Sequence, residues 1–188
     1  FDWVRDLYLD YERTTLTYSP LVLNKKGAGN IYLTSRRVAV EITQEGTLGG
    51  SIDASGRNVS IVTTAGSIGT EENPLVVQMK NASTNSLTLD SADGIWVEGG
   101  SEGLYLSTVT ANGSITLETD GAITGNDSAR VESREGSISL KGAAIGGYNP
   151  IELAGASGTT LNVCIDAATA DLSIDHDADV RMLLDDVS

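Results

Sequence analysis

Apolar and polar residues alternate in short segments that recur along the whole chain. The clearest segments are Asn30–Thr34, Asn58–Val62, Ser86–Asp90, Ser114–Glu118, Ser137–Lys141 and Thr160–Cys164. Alternation with a period of two is typical of a β-strand that buries one face. The chain is therefore predicted to consist of short strands, each with an apolar inner face and a polar outer face.

Aligning these segments produces two apolar columns, which we predict to form the core. The first column contains Ile31, Val59, Leu87, Ile115, Ile138 and Leu161. The second column contains Leu33, Ile61, Leu89, Leu117, Leu140 and Val163. The steps shorten after Ile115 and Leu117, and Leu7 and Leu9 extend the columns backwards by one further step. Self-similarity at a period of about 20–50 residues indicates a solenoid in which equivalent strands stack in parallel.

Further strand-like segments, such as Pro74–Gln78 and Gly103–Ser107, lie between the aligned ones, and Asn-Gly and Asp-Gly pairs mark the corners. No intervening segment has the length and pattern of the helix in a βαβ crossover. We therefore predict an all-β, single-stranded, right-handed parallel β-helix with three sides and about six to seven coils. Residues 29–178 are the predicted repeat body, with a partial coil or cap over 1–28 and a partial coil or tail over 179–188.

The charge of the chain narrows the range of partners. It has 26 acidic and 12 basic residues, which gives a formal net charge of −14. A field of this sign repels phosphate backbones and anionic lipid head groups. No apolar run is long enough to cross a bilayer as a helix. Nucleic acid binding and direct membrane insertion are therefore not expected.

Two segments carry a resemblance to a known family. Gly66–Leu75 reads GSIGTEENPL and is followed by two valines, and Ile145–Ile151 reads IGGYNPI, a shortened variant. The pattern G-x-I-G-T-x-x-N-P-L-x-V resembles the repeat unit of very large bacterial surface proteins, the filamentous haemagglutinins and leukotoxin-type filamentous adhesins. The resemblance covers about Ala28–Asp166.

This resemblance implies a right-handed β-helix, export across the outer membrane, and a role in adhesion or toxin display. The protein would then be secreted or located at the bacterial cell surface. Its partners would be a host or bacterial surface glycan or protein, together with flanking β-helix coils of a longer parent chain.

Three aromatic residues are predicted to lie on the outer surface. Trp96, Tyr32 and Tyr105 each stand between two apolar residues that take the inward positions. Exposed aromatic side chains stack on sugar rings or anchor partner proteins, although a loop or a neighbouring domain covering them is an equally simple reading. Trp96 and Tyr105 belong to different strands of one coil, so we do not expect them to form one platform.

Carboxylates supply the weaker candidates for chemistry. Asp90 and Glu118 take equivalent positions in the alignment and Lys141 follows in the same column, an arrangement similar to the paired acids of pectin-cleaving β-helices. Acidic residues are scattered over every face, however, so we predict no enzymatic activity, no catalytic residue and no cofactor. Cys164 has no histidine nearby to activate its thiol.

Calcium is the only metal that the sequence suggests. Asp175, Asp177 and Asp179 alternate around His176 and would share one face of a strand. The segment lacks the glycine and distal glutamate of an EF-hand loop. We expect a solvated acidic face here and keep a calcium site as the alternative.

The leading functional hypothesis is a structural and adhesive module that displays a contact surface to host or neighbouring cells. The first alternative is a carbohydrate-active or carbohydrate-binding β-helix with pectin-lyase-like architecture. The second alternative is a calcium-stabilised β-solenoid.

Overall fold

The alternating segments form strands throughout the computed structural model, which describes residues 6–11, 19–36, 38–54, 57–79, 85–174 and 179–185. Within these ranges every regular element is a β-strand. The strands are β1 (Leu7–Tyr11), β2 (Leu21–Lys25), β3 (Gly29–Ser35), β4 (Val40–Glu45), β5 (Leu48–Asp53), β6 (Val59–Ala65), β7 (Leu75–Gln78), β8 (Leu87–Ser91), β9 (Ile95–Gly99), β10 (Leu104–Ala111), β11 (Ile115–Thr119), β12 (Ala122–Ser133), β13 (Ser137–Lys141), β14 (Ala144–Ile145), β15 (Ile151–Gly155), β16 (Thr160–Asp166), β17 (Leu172–Ile174) and β18 (Asp179–Asp185).

The strands stack into two long parallel sheets. The first sheet has the order β1-β3-β5-β7-β9-β11-β13-β16-β18, and the second has the order β17-β15-β12-β10-β8-β6-β4-β2, with the short β14 paired to β12. The chain passes from one sheet to the other within each winding, so equivalent strands of successive windings become neighbours. The fold is therefore a parallel β-solenoid, as predicted, with about eight coils rather than six to seven.

The coil count was underestimated because the coils differ in length. The step along the chain from Leu21 to its partner Val40 is much shorter than the step from Val59 to its partner Leu87. When the repeated segments are aligned at the longest spacing, a short coil is counted together with part of its neighbour, and the number of coils comes out too low.

Several predicted stacking steps are confirmed by the register. The confirmed pairs are Leu7 with Ile31, Leu9 with Leu33, Val59 with Leu87, Ile61 with Leu89, Ile115 with Ile138, and Leu117 with Leu140. These steps join strands of the same sheet in consecutive coils.

Two predicted steps are wrong because they join strands of different sheets. Ile31 and Leu33 belong to the first sheet, whereas Val59 and Ile61 belong to the second. The next step has the same fault: Leu87 and Leu89 pair with Leu106 and Val109 in the second sheet, and Ile115 and Leu117 pair with Ile95 and Val97 in the first. Both sheets carry the same aliphatic alternation, so the pattern alone does not assign a strand to its sheet.

The last predicted step is wrong because it is two positions too short. Ile138 pairs with Val163 rather than Leu161, and Leu140 pairs with Ile165 rather than Val163. An even shift keeps every side chain on its face of the strand, so the inward assignment of Leu161 and Val163 still holds.

All twelve residues of the two predicted columns lie in the interior, and none is more than 3% exposed. They pack into one continuous hydrophobic cluster along the solenoid. Full burial of each such aliphatic side chain stabilises the fold by roughly 1.5–3 kcal/mol. The stacked interior therefore holds the two sheets together. This burial does not depend on which stacking column each residue belongs to.

A third, short side appears beside the second sheet in the later coils. Leu104 pairs with Ile123, Ile123 with Ile145, and Ile145 with Ala170. The chain then shifts register before it enters the longer ladder of the second sheet. The corner between the two ladders is therefore one of the places where coil length varies.

A buried polar ladder closes the turn that leads from the second sheet back to the first. Its members Lys25, Gln44, Thr63 and Ser91 occupy one register column and are at most 3% exposed. The Gln44 amide donates a hydrogen bond of 2.7 Å to the Thr47 carbonyl, and the hydroxyls of Thr63 and Ser91 lie 3.0 Å apart. Buried turn carbonyls need such partners, so this ladder fixes the corner from which the first sheet begins.

The strands described within the two flanking segments belong to the same two sheets. β1 and β2 lie within residues 1–28, and β18 lies within 179–188. β18 pairs with β16 over consecutive positions, from Thr160 with Asp179 to Asp166 with Asp185.

Candidate binding groove on the first sheet

Two tyrosines stack on the outer face of the first sheet. Tyr8 of β1 pairs with Tyr32 of β3, and their ring centroids lie 4.6 Å apart with planes inclined by 10°. The ring spacing follows the strand spacing because the two residues take the same position on adjacent parallel strands. Tyr8 is 70% exposed, whereas Tyr32 is half-buried and its hydroxyl lies 3.4 Å from the side-chain nitrogen of Asn30.

The stack stops at β5, where the outer face becomes small and flat. Ser51 takes the position after Tyr32 in the column, next to Gly49 and Gly50. Gly50 has a φ of +102°, and a Cβ built there would lie 2.3 Å from the Ile31 carbonyl oxygen. A Cβ on Gly49 would lie 2.4 Å from Oδ1 of Asn30. The backbone geometry therefore requires glycine at position 50, whereas the space above Gly49 is taken up by the side-chain amide of Asn30. Neither glycine adds a side chain of its own to the surface beside Tyr32.

A loop projects beside this flat surface. It lies within the segment Gly66–Leu75, and we call it the motif loop. Ile68 is fully buried and takes a position in the first sheet between Leu48 and Ile95. The chain then leaves the wall at Gly69 and turns between Thr70 and Asn73, whose backbone groups exchange hydrogen bonds of 3.0 and 3.1 Å. The loop thus projects from the coil without breaking the ladder beneath it.

The flat surface, Tyr32 and the motif loop enclose a groove of about 650 Å³. Polar groups around it include Asn30, Ser51, Thr70, Glu72 and Asn73. A concave surface that combines an aromatic side chain with converging polar groups is a candidate ligand site.

A smaller cleft of about 230 Å³ adjoins the groove at Trp96. The two share Pro74 and Glu98 in their linings, so they lie on one continuous face. The Trp96 indole lies over Gly94, where a Cβ would come within 2.4 Å of its ring atoms. We call this continuous surface, from Tyr32 to Trp96, the first-sheet groove.

The first-sheet groove is acidic. Glu71, Glu72, Glu98 and Glu118 line it and are exposed, and no basic side chain of the described residues is part of its lining. Lys141, on the next strand, forms an ion pair with Glu118. The hydrogen bond that Lys141 donates to Glu118, together with the charge of that carboxylate, raises the pKa of Lys141. Lys141 therefore offsets the charge of Glu118 at this end of the groove.

The structure brings Tyr32 and Trp96 to the same sheet face and leaves Tyr105 elsewhere. Tyr105 pairs with Thr124 on the second-sheet side and lines a separate cleft of about 320 Å³ with Tyr148. The expectation that Trp96 and Tyr105 share no platform agrees with this placement. Tyr8 was missed by sequence reasoning, although its position between Leu7 and Leu9, one repeat before Tyr32, was the signal that would have found it.

The predicted carboxylate pair is wrong. Asp90 pairs with Val62 and Thr110 in the second sheet, whereas Glu118 lies in the first sheet. Of the predicted column Asp90, Glu118 and Lys141, only the step from Glu118 to Lys141 is confirmed, since these two residues pair in the first sheet. Asp90 and Glu118 are therefore not neighbours on one face.

The calcium candidates fall largely outside the described residues. Asp175, Asp177 and His176 lie there, and Asp179 is an exposed residue at the start of β18. Within the described ranges, no group of three His, Cys, Asp or Glu side chains is placed to hold a metal ion. The calcium site stays a prediction. The free thiol of Cys164 is half-buried beside Ser139.

No family model, curated protein or solved structure matches the chain. No helix among the described residues has the length and apolar character needed to cross a membrane. Fold and groove together define the class as a parallel β-solenoid repeat protein with an aromatic, acidic groove on one wall.

Proposed function

We propose that this chain is a structural and adhesive β-solenoid module of a large bacterial secreted or cell-surface protein. The observation that carries the proposal is the construction of the motif loop, because Ile68 holds its place in the ladder while Gly69–Pro74 projects outward. A sheet that accommodates such loops without losing its strand pairing holds the side chains of the loops at fixed positions along the solenoid. The resemblance of Gly66–Leu75 to filamentous adhesin repeats supports the bacterial surface setting.

The partners in this proposal are a host or bacterial surface glycan or protein, and further coils of a longer parent chain. Strands β1 and β18 stand at the two ends of the first sheet. Edge strands present backbone groups that pair readily with another strand. Additional coils of the same kind would extend both sheets without a change of architecture.

A cell-binding assay tests the adhesive role. Fluorescent beads coated with the chain are incubated with cultured epithelial cells and with bacterial cells, and bound beads are counted by flow cytometry. A matched control carries Gly-Ser-Gly-Ser in place of Thr70–Asn73, which removes the projecting side chains and leaves Ile68 in the ladder. We expect binding to at least one cell type that falls with the loop replacement. Equal counts for coated and uncoated beads on all cells would contradict the adhesive function.

The carbohydrate-cleaving alternative loses its proposed acid pair, since Asp90 and Glu118 lie on different sheets. The carbohydrate-binding alternative gains support from the first-sheet groove. The calcium-stabilised alternative is tested by thermal unfolding with calcium and with chelator, because a ligand that binds only the folded state raises its stability.

A further inference from the structure

We propose that the first-sheet groove binds a segment of a neutral glycan, with one sugar ring stacked on the face of Tyr32 that is turned towards Ser51. This inference deepens the adhesive function proposed above, on which its biological meaning rests, by naming the class of ligand. It is carried by three observations: the interrupted aromatic stack, the extent of the groove, and the sign of its charge.

The interrupted stack defines the position of the first sugar ring. Tyr8 and Tyr32 are stacked at 4.6 Å on adjacent strands, and the next position of the column is Ser51. Beside it, Gly49 and Gly50 add no side chain to the surface. A pyranose ring packs its C–H face on an aromatic ring and leaves its hydroxyls at the edge. A sugar above Ser51 would thus continue the stack as its third ring, with the Ser51 hydroxyl below it.

The extent of the groove favours a chain of sugars over a single one. Tyr32 lies on β3 and Trp96 on β9, with β5 and β7 between them. Three strand spacings of about 4.8 Å separate the two aromatic residues by roughly 14 Å along the solenoid axis. This distance exceeds one sugar ring, so Trp96 is placed to contact a later residue of the same glycan.

The charge of the groove selects the kind of sugar. Glu71, Glu72 and Glu98 would repel the carboxylates and sulfates of acidic glycans, whereas the charge of Glu118 is offset by its ion pair with Lys141. Carboxylates also accept strong hydrogen bonds from donors such as sugar hydroxyls. Neutral sugars present many hydroxyl donors and no negative charge, so they satisfy both requirements. A lysine-rich peptide would also satisfy the charge, but it would leave the flat floor beside Tyr32 without a ring to cover it.

Calorimetric titration of the full chain tests this inference. The probes are hexasaccharides of glucose, mannose and N-acetylglucosamine, with hexagalacturonate as the acidic counterpart and hexalysine as the cationic one. We expect at least one neutral hexasaccharide to bind and hexagalacturonate to show no binding. Tyr32→Ala should weaken the binding about tenfold or more, because a central aromatic contact is lost, while Tyr32→Phe should bind normally.

A groove-filling variant separates a binding defect from a folding defect. Ser51→Tyr should extend the tyrosine stack, keep the thermal unfolding midpoint, and abolish binding by occupying the sugar position. The matched control is Ser60→Tyr, at an outward position of the second sheet, which should bind normally. Trp96→Ala should weaken binding of the hexasaccharide and leave that of the corresponding disaccharide unchanged.

Three results would overturn the inference: no binding to any neutral hexasaccharide, binding of hexalysine alone, or normal binding by Ser51→Tyr. The two proposals fail separately. If coated beads adhere to cells and the neutral glycans do not bind, the glycan groove is wrong and adhesion stands. If the glycans bind in a Tyr32-dependent manner and the beads adhere to no cell, the adhesive function is wrong and the groove stands.

Discussion

The motif loops of the segments Gly66–Leu75 and Ile145–Ile151 are attached to the sheets in the same way but expose different side chains. We call the buried isoleucine before each loop its anchor. In the first, Ile68 is buried in the wall, Gly69 has a φ of +68°, and the chain returns to the ladder at Leu75 after a proline. In the second, Ile145 and Gly146 take the same roles, with a φ of +80° at the glycine. The first loop belongs to the first sheet, whereas the second lies at the short third side beside the second sheet.

The surfaces differ because the residues between the anchors differ. The first loop carries Glu71, which lines the cleft at Trp96, and Glu72, which lines the adjoining groove. The second carries the fully exposed Tyr148 beside Tyr105, over a glycine floor. The isoleucine, glycine and proline of the motif thus specify how a loop leaves and rejoins the wall. The intervening side chains and the neighbouring strand determine what the loop can contact.

The largest expected effect is loss of the anchors. Ile68→Asp and Ile145→Asp each place an unpaired charge in the dry interior, so each should lower the free energy of unfolding by about 4 kcal/mol or more. Chemical denaturation followed by circular dichroism measures this loss. Glu71→Lys and Tyr148→Asp, at exposed positions of the same loops, are the controls and should change stability little. An unchanged free energy of unfolding for Ile68→Asp or Ile145→Asp would contradict the burial of that isoleucine in the sheet.

Replacement of the turn glycines should have an intermediate effect. A Cβ on Gly69 would lie 2.1 Å from the Trp96 carbonyl oxygen, and one on Gly146 would lie 2.2 Å from that of Asp171. Gly69→Ala and Gly146→Ala combine this clash with a left-handed backbone and should each cost about 1–3 kcal/mol. Gly147→Ala should cost less, because Gly147 has a φ of +118° but no atom within 4 Å of the added carbon. Thermal unfolding midpoints rank the three variants, and a Gly147 variant as damaged as the other two would show that crowding plays no part.

A smaller difference should come from the residue before each anchor. The Ser67 hydroxyl donates a hydrogen bond of 2.7 Å to the Gly69 carbonyl, whereas Ala144 takes the corresponding place in the second loop. Ser67→Ala should therefore destabilise the chain by about 0.5–1.5 kcal/mol, the net contribution of one hydrogen bond. Denaturant titration of Ser67→Ala beside the parent chain measures it, and an unchanged midpoint would mean that the first loop does not need this contact.

The sequence predicted the strands well because alternation is a local signal. Each strand that buries one face must place aliphatic residues at every second position, and Ile115 and Leu117 do so wherever their strand is placed. The sheet to which a strand belongs is not encoded locally. It depends on how many residues each corner takes up, and these numbers vary from coil to coil. The predicted column that places Leu87 beside Ile115 therefore joins two different sheets.

The candidate site was predicted only in part for the same reason. The outward positions of Tyr32 and Trp96 follow from alternation, but their common face depends on the sheet assignment. The flat surface beside Tyr32 depends on the positive φ of Gly50, which the Gly49-Gly50 pair in the sequence does not reveal by itself. The buried polar ladder was missed because Thr63 and Ser91 resemble surface or turn residues until the carbonyl groups of the corner are located.

Pairwise cysteine cross-linking tests the two-sheet register most directly. In a Cys164→Ser background, Thr116→Cys is combined either with Ser139→Cys, its neighbour in the first sheet, or with Thr88→Cys, which lies in the second sheet. Adjacent parallel strands bring paired Cα atoms within the range of roughly 4.4–6.8 Å that a disulfide spans. Non-reducing mass spectrometry after mild oxidation should show an intramolecular bond between positions 116 and 139 and none between 88 and 116. A bond between 88 and 116 would contradict the register and, with it, the common face of Tyr32 and Trp96.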